Sequence, residues 1–275
     1  MLNRFRLHQS EEVDLSSFDP EETGGIESKD QIREEYEDLQ ERLKELQDKL
    51  YAGKSHAVLI IFQGMDCSGK DGVIKKVLAN LNPQGFRAES FKKPTADEAA
   101  HDFLWRTHKV MPAKGYMAAF NRSYYEDVLI TRVHGLISDE EADRRLDHIR
   151  HFEALLLDNH VVIIKIFLHI SPEFQLGKIR ERLENPEKLW KFDMSDLQER
   201  RYWEEYRKAY EVALARSAKK RSPWYVVPAN KRWFRDYLVL RIIVEELEAL
   251  PLQYPTPEID LAGLFDDRND RRPEA

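Results

Sequence analysis

Residues 58–72 read Val-Leu-Ile-Ile-Phe-Gln-Gly-Met-Asp-Cys-Ser-Gly-Lys-Asp-Gly, and no other stretch narrows the folds open to this chain as far. A β-branched apolar run ends at Gly64; Gly69 and Lys70 follow after four residues, and a helical pattern begins there. Strand, glycine-rich turn and helix in that order make a cradle for phosphate. Glycine lets the backbone turn and approach an anion with no Cβ in the way, so successive N–H groups converge. The positive end of the next helix and the Lys70 ammonium supply further counter-charge. Gly64, Ser68, Gly69, Lys70, Asp71 and Gly72 are therefore the candidate phosphate-binding loop.

Two carboxylates make this loop unusual. Asp71 stands where such loops commonly carry a Ser or Thr whose hydroxyl binds Mg²⁺, and Asp66 lies inside the loop. A bare carboxylate in an anion cradle repels its ligand unless a cation joins them. Mg²⁺ carrying phosphate oxygens is the natural choice, with Mn²⁺ as an alternative. For Asp71, a first-turn acid favoured by the helix dipole is an equally good reading.

The rest of the chain alternates. Apolar runs at Ala57–Phe62, Phe86–Phe91, Tyr116–Phe120, Val161–His169 and Tyr225–Val227 read as buried strands. Helical patterns fill residues 70–81, 95–110, 123–134, 139–158, 172–184, 195–217 and 231–249. This predicts an α/β fold of three layers, α/β/α, around a central parallel five-stranded sheet, with ligands at the strands' carboxyl ends. Residues 53–257 are expected to form one domain, with a helical lid near 172–205 hinged at the Asn185-Pro186 interruption. Residues 1–52 form an acidic lead-in, mobile or draped on the surface, and an N-terminal helix. The apolar stripe of that helix (Ile32, Tyr36, Leu39, Leu43, Leu46, Leu50) either docks on the chain's own body or meets a second subunit, docking being the simpler. Residues 258–275 are an acidic tail.

Charge distribution matters more than its sum. The net charge of −7 looks wrong for a polyanion handler, but residues 1–50 hold 15 acids against 7 bases and residues 258–275 hold 6 against 3. The body between them is mildly basic, which leaves room for a cationic channel. No nucleic-acid motif is present, no apolar run approaches the length of a membrane span, and the start lacks a signal-peptide pattern. The single cysteine, Cys67, rules out disulfides within the chain, so a cytoplasmic setting is expected. Its place beside Lys70 and a helix start could depress its pKa, although a buried, idle thiol is the commoner fate.

A second constellation lies at 116–127, where a strand runs into Asn121-Arg122-Ser123-Tyr124-Tyr125-Glu126-Asp127. In loop-type phosphotransferases a second strand ends beside the first and delivers an acidic metal partner. An internal Arg122–Glu126 pair at helical spacing is the plainer reading. Trp203, Tyr206 and Tyr210 form a stripe that reads as core, and Trp190 and Phe192 as packing of the lid.

Together, Gly64–Gly72, Phe120–Val128, Lys188-Leu-Trp-Lys-Phe192, Glu199-Arg-Arg-Tyr-Trp203 and Pro223–Lys231 resemble the polyphosphate kinase 2 family, in order, from about residue 30 to 250. The resemblance implies a P-loop kinase fold, a helical lid, and homo-oligomers built as dimers or dimers of dimers. It also implies Mg²⁺-dependent, reversible transfer between inorganic polyphosphate and nucleotides such as AMP, ADP and ATP. Asn121 with Glu126 looks like the subgroup acting on both nucleoside mono- and diphosphates. Asp66, Lys70 and Arg122 match catalytic positions of the family, Asp127 its acidic metal position, and Glu126 the position linked to monophosphate acceptance. Asp66 and Asp127 would thus hold the metal. Lys178 and Arg182 fill basic lid positions, Lys178 where Arg is usual, which weakens bidentate clamping. Of the lysines that could line a polymer track, Lys75 and Lys93 join the phosphate-binding set, each in the company of its neighbour (Lys76, Lys92). An ATP-dependent nucleotide kinase and a non-catalytic anion-binding module remain open from the residues alone.

Overall fold

Every residue of the run Ala57–Gln63 is buried, as a strand covered on both faces requires. It sits at the centre of a six-stranded sheet in the computed structural model, which describes residues 2–7 and 12–256. The strands are β1 (Arg6–Leu7), β2 (Ala57–Gln63), β3 (Phe86–Ser90), β4 (Met117–Asn121), β5 (Val161–His169) and β6 (Trp224–Pro228). Their order is β1-β6-β5-β2-β4-β3, and β2 to β6 are all parallel. Among the parallel strands the chain starts at β2, steps outward to β3, returns through β4, then crosses to β5 and β6 on the other side. The connections leaving the carboxyl ends of the neighbours β2 and β5 therefore diverge and open a crevice there.

The five expected parallel strands are β2 to β6, and a sixth, antiparallel strand extends the sheet at one edge. Arg6–Leu7 pairs antiparallel with β6, Arg6 opposite Tyr225, and Val226 N donates to Phe5 O at 2.8 Å. Two residues carry no strand pattern of their own; the buried Leu2 and Phe5 anchor them. The described parts of the lead-in lie on the body, with Val13 and Leu15 also buried.

The helices are α1 (Arg33–Gly53), α2 (Lys70–Val77), α3 (Ala96–Ala99), α4 (Trp105–His108), α5 (Glu126–Val133), α6 (Asp139–Asp158), α7 (Pro172–Glu184), α8 (Met194–Glu199), α9 (Trp203–Ser217) and α10 (Arg232–Glu248). The spans of α6 and α7 equal the predicted ones because side-chain caps fix their starts: Ser138 accepts from Glu141 N and Ser171 from Phe174 N, with Pro172 in the first turn of α7. The predicted 95–110 and 195–217 helices are interrupted. Asp102 Oδ1 captures Leu104 N and starts α4 afresh. Residues Arg200–Tyr202 form a 3₁₀ turn where Arg200 reaches back to Pro172 O and Gln175 Oε1, both at 2.8 Å.

The stripe of α1 docks on the chain's own body. Leu39, Leu43 and Leu50 join the central core, each contributing about 1.5–3 kcal/mol by burial, and Tyr237 Oη of α10 donates to Glu35 at 2.8 Å. Gln47, also buried, exchanges two hydrogen bonds with the Asn82 backbone and ties α1 to the segment after α2. The acidic tail at 258–275 lies outside the described residues.

Candidate active site

Two glycines shape the loop between β2 and α2. Gly64 has φ +146°, and a Cβ there would lie 2.6 Å from Leu168 O; Gly69 has φ +91°, and a Cβ there would strike the Arg235 guanidinium. Lys70, buried, folds its ammonium back to donate to Gly64 O at 2.8 Å and Met65 O at 3.1 Å. Burial and the neighbouring Arg122 pull the Lys70 pKa down, opposed by Asp66, Glu126 and Asp71. Ser68 Oγ is buried and has no hydrogen-bond partner among the described residues.

The carboxyl end of β4 meets this loop. Asn121 Nδ2 donates to Asp71 Oδ1 at 2.5 Å, which gives Asp71 a role beyond favouring the helix dipole. A carboxylate at position 121 would face a second carboxylate there. Arg122 adopts left-handed backbone (φ +63°), a strained state for a residue with a Cβ. Its Nη2 meets Asp66 Oδ1 at 2.5 Å, while Nη1 lies 3.7 Å from Glu126 Oε2. The tighter partner of Arg122 is thus Asp66 across the loop, not Glu126 on its own helix. Gln63, at the end of β2, is satisfied when its amide nitrogen donates to Glu126 Oε1 at 2.9 Å and its oxygen accepts from Ser123 Oγ at 3.0 Å. Burial raises the Glu126 pKa, opposed by Arg122 and Lys70.

Two cavities open at this junction and share Asp66, Arg122 and Asp196. One, of about 860 Å³, runs past Gly69, Lys70 and Gly72 and under the lid. Nine cationic side chains line it against four carboxylates, so it attracts anions. The other, of about 380 Å³, is lined by Trp203, Tyr206, Tyr210 and Ile130 and by five carboxylates against two arginines. It suits an apolar ring bearing N–H donors. The aromatic stripe read as core therefore also forms a wall: Tyr210 is buried, whereas Tyr206 is half-buried and donates to Glu199 at 2.7 Å.

Several predicted residues lie elsewhere than expected. Asp127 borders neither cavity; its carboxylate pairs with the buried Arg106 at 2.9 Å. Consecutive residues on a helix point about 100° apart, and here Glu126 faces the cleft while Arg106 draws Asp127 away from it. Lys75 and Lys93 are exposed outside both cavities, and Lys92 lines the cationic one instead. Lys178 and Arg182 do line it, held by Glu181 at 2.6 Å and Asp196 at 2.6 Å. Two lysine partners hold the Glu181 pKa down to about 2. Cys67 is not activated: burial pushes its thiol up to about 11. Trp190 does not pack; it is 77% exposed at the rim of the cationic cavity.

Sequence reading missed Asp196, Arg232 and Arg235. Asp196 shares the junction with Asp66, and burial together with that neighbour raises its pKa. Its position 130 residues along the chain gave no local signal. Arg232 and Arg235 reach the loop from α10.

The residues fit a divalent cation. Asp66 and Asp196, which line both cavities, offer hard oxygen donors at their junction, and Glu126 adds negative charge nearby. Among the described residues no cluster of three or more His, Cys, Asp or Glu side chains closes into a cage, and magnesium bound partly through phosphate oxygens needs none. No described helix is long and apolar enough to cross a membrane.

Comparison with known proteins agrees with this geometry. The family model described as polyphosphate kinase 2 matches residues 26–254. The chain is 46% identical to the AMP/ADP-polyphosphate phosphotransferase of Meiothermus ruber over 258 residues, 94% of this chain and 97% of that protein. It is 44% identical to the ADP-polyphosphate phosphotransferase of Rhodopseudomonas palustris over 264 residues, 92% and 91% of the two chains. The crystal structure of polyphosphate kinase 2 from Arthrobacter aurescens TC1 superposes with a TM-score of 0.90 at 39% identity, covering 94% of this chain and 93% of that one.

Proposed function

The chain belongs to the polyphosphate kinase 2 family, and from that premise we propose that it transfers the terminal phosphoryl group of polyphosphate to AMP and ADP, reversibly. The observation that carries this reading is the junction of two cavities of opposite character at Asp66, Arg122 and Asp196. A polymer with one charge per phosphate suits the cationic side. A nucleoside suits the aromatic side, with its own phosphate pointing at the junction.

The acceptor is a phosphate oxygen, already anionic near neutral pH, so no general base is required. Catalysis then rests on positioning and on neutralising charge. The loop amides and Ser68 Oγ receive the donor's terminal phosphates, and Lys70 exchanges its carbonyl partners for phosphate oxygens. Arg122 meets the charge that spreads over the equatorial oxygens as the bond to the donor's bridging oxygen breaks and the bond to the acceptor oxygen forms. Asp66 and Asp196 would hold the divalent cation, Mg²⁺ in this reading, with the Glu126 carboxylate adding negative charge nearby. Such a cation would neutralise phosphate charge during the transfer. Arg182 and Lys178 exchange their carboxylate partners for donor phosphates as residues 172–205 close, excluding the water that would compete as acceptor.

The test is donor dependence. Purified protein with Mg²⁺ and polyphosphate as sole donor is expected to convert AMP to ADP and ADP to ATP, followed by chromatography, with a polyphosphate-free control to exclude disproportionation of ADP. Turnover with ATP as donor and none with polyphosphate would replace this reading with an ordinary nucleotide kinase.

A further inference from the structure

We propose that Arg232 and Arg235, on the first turn of α10, form an outer subsite for the donor polyphosphate and make its binding depend on chain length. The proposal rests on assigning the cationic cavity to the donor.

The placement of charge is the first observation. The amino-terminal end of a helix is positive, and acids are favoured there. The first turn of α10 has none and instead carries Arg232 and Arg235, directly after Lys231. Asp236, next along the helix, answers part of this charge through Arg235, with Arg232 and Lys76 also near it, which leaves cations in excess at this end. The second observation is where Arg235 sits. It is only 4% exposed, yet it lines the cationic cavity, and its guanidinium lies against the phosphate loop so closely that only glycine fits at position 69. Asp236 Oδ1 accepts from its Nε at 2.9 Å and its Nη2 at 2.6 Å. That contact fixes the plane of the guanidinium and leaves Nη1 directed at the loop. Gly69 is itself the cap of α2, so two helix amino-termini, Lys70 and Arg235 converge on one space. Arg232, one turn earlier and exposed, extends the same lining toward solvent.

These residues give the donor cavity a direction. The reacting phosphoryl group belongs at the junction with the aromatic cavity, the next phosphates on the loop, and the continuing chain against Arg235 and then Arg232. A nucleoside triphosphate runs out of phosphates along this path, whereas a polymer does not. The subsite therefore recognises the linear phosphoanhydride chain itself.

The experiment measures KM and kcat for a series of donors from tripolyphosphate to chains of many tens of phosphates, with ADP saturating. In the unaltered protein KM per chain is expected to fall with length beyond the statistical gain from more chain ends, then level off. Arg232→Ala and Arg235→Met are each expected to raise KM for long chains about tenfold, the loss of one charge-assisted contact, and to flatten the length dependence. Arg232 is exposed, so its variant stays informative even if the buried Arg235 proves necessary for folding. A KM independent of length in the unaltered protein, or equal factors lost at every length in Arg232→Ala, would overturn the subsite while leaving the donor assignment standing. No turnover with polyphosphate of any length would overturn both.

Discussion

Beneath the Arg122 turn lies a buried charge whose removal has a calculable cost. Lys165, in the middle of β5, is fully buried; its ammonium contacts Glu153 Oε2 at 2.7 Å and Ser217 O at 2.8 Å. Glu153, 2% exposed on α6, also accepts from Tyr124 Oη at 2.9 Å and Tyr125 Oη at 2.8 Å. Glu153→Gln keeps the shape and removes the charge, so packing cannot account for the result. The Lys165 ammonium is then left buried without its counter-charge, which costs about 3–5 kcal/mol. At about 2–4 °C per kcal/mol for a chain of this size, Tm is expected to fall by roughly 6–20 °C. The two tyrosines lie between Arg122 and Glu126, so the same change loosens the turn that presents both. Activity, measured below the new Tm, is expected to lose more in kcat than in KM. Glu153→Leu with Lys165→Met should recover most of the stability, since replacing a buried pair by apolar groups is often close to neutral. A denaturant titration followed by tryptophan fluorescence measures both variants. A loss under about 1 kcal/mol for Glu153→Gln would refute the reasoning, because it would mean the ammonium is not committed to that carboxylate.

Other consequences follow from the cleft. Asn121→Asp sets a carboxylate against Asp71 and is expected to raise KM for polyphosphate about tenfold; adding Asp71→Asn should restore it, and an unrestored double variant would dissociate the two positions. Cys67 should react with iodoacetamide about a hundredfold more slowly than a free thiol at neutral pH, since burial pushes its pKa from 9.0 up to about 11; rapid labelling of the folded protein would contradict this. Burial raises the pKa values of Glu126 and Asp196, so the folded state favours their protonated forms, and the stability they contribute is present at low pH and lost as pH rises through the raised values. Acidification through the window just above 4.5 should therefore lower kcat, by neutralising these carboxylates, without these two groups weakening the fold. Parallel kcat and Tm profiles check it: the acid limb should shift in Glu126→Gln, and an identical limb in that variant would remove Glu126 from the mechanism.

The strands and the phosphate loop were legible because each rests on a local rule. β2 is a continuous apolar run, Gly64 and Gly69 bracket a fixed spacing, and Ser138 and Ser171 cap helices in place. What failed was long-range. β1 has no pattern of its own and exists because β6 offers an edge; that α1 docks on the body was legible from its stripe, but not that α10 receives it. Within the site, Glu126 and Asp127 are adjacent in sequence, and only the docking of Arg106 decides which one turns away. Trp203, Tyr206 and Tyr210 have the periodicity of core residues, and periodicity cannot distinguish a face against protein from one against a cavity. Asp196, Arg232 and Arg235 come from segments far from the loop, so their convergence belongs to the fold and not to any motif.

The central claim is that donor and acceptor approach Asp66 and Arg122 from two chemically different cavities. The most direct test is a crystal structure with ADP and a polyphosphate analogue whose bridging oxygens are replaced by methylene groups. The adenine is expected among Trp203, Tyr206 and Tyr210, the analogue along Lys70 and Arg235, and the two phosphate termini beside Asp66. Adenine seated against Trp190 in the cationic cavity, with the analogue displaced from the loop, would contradict it.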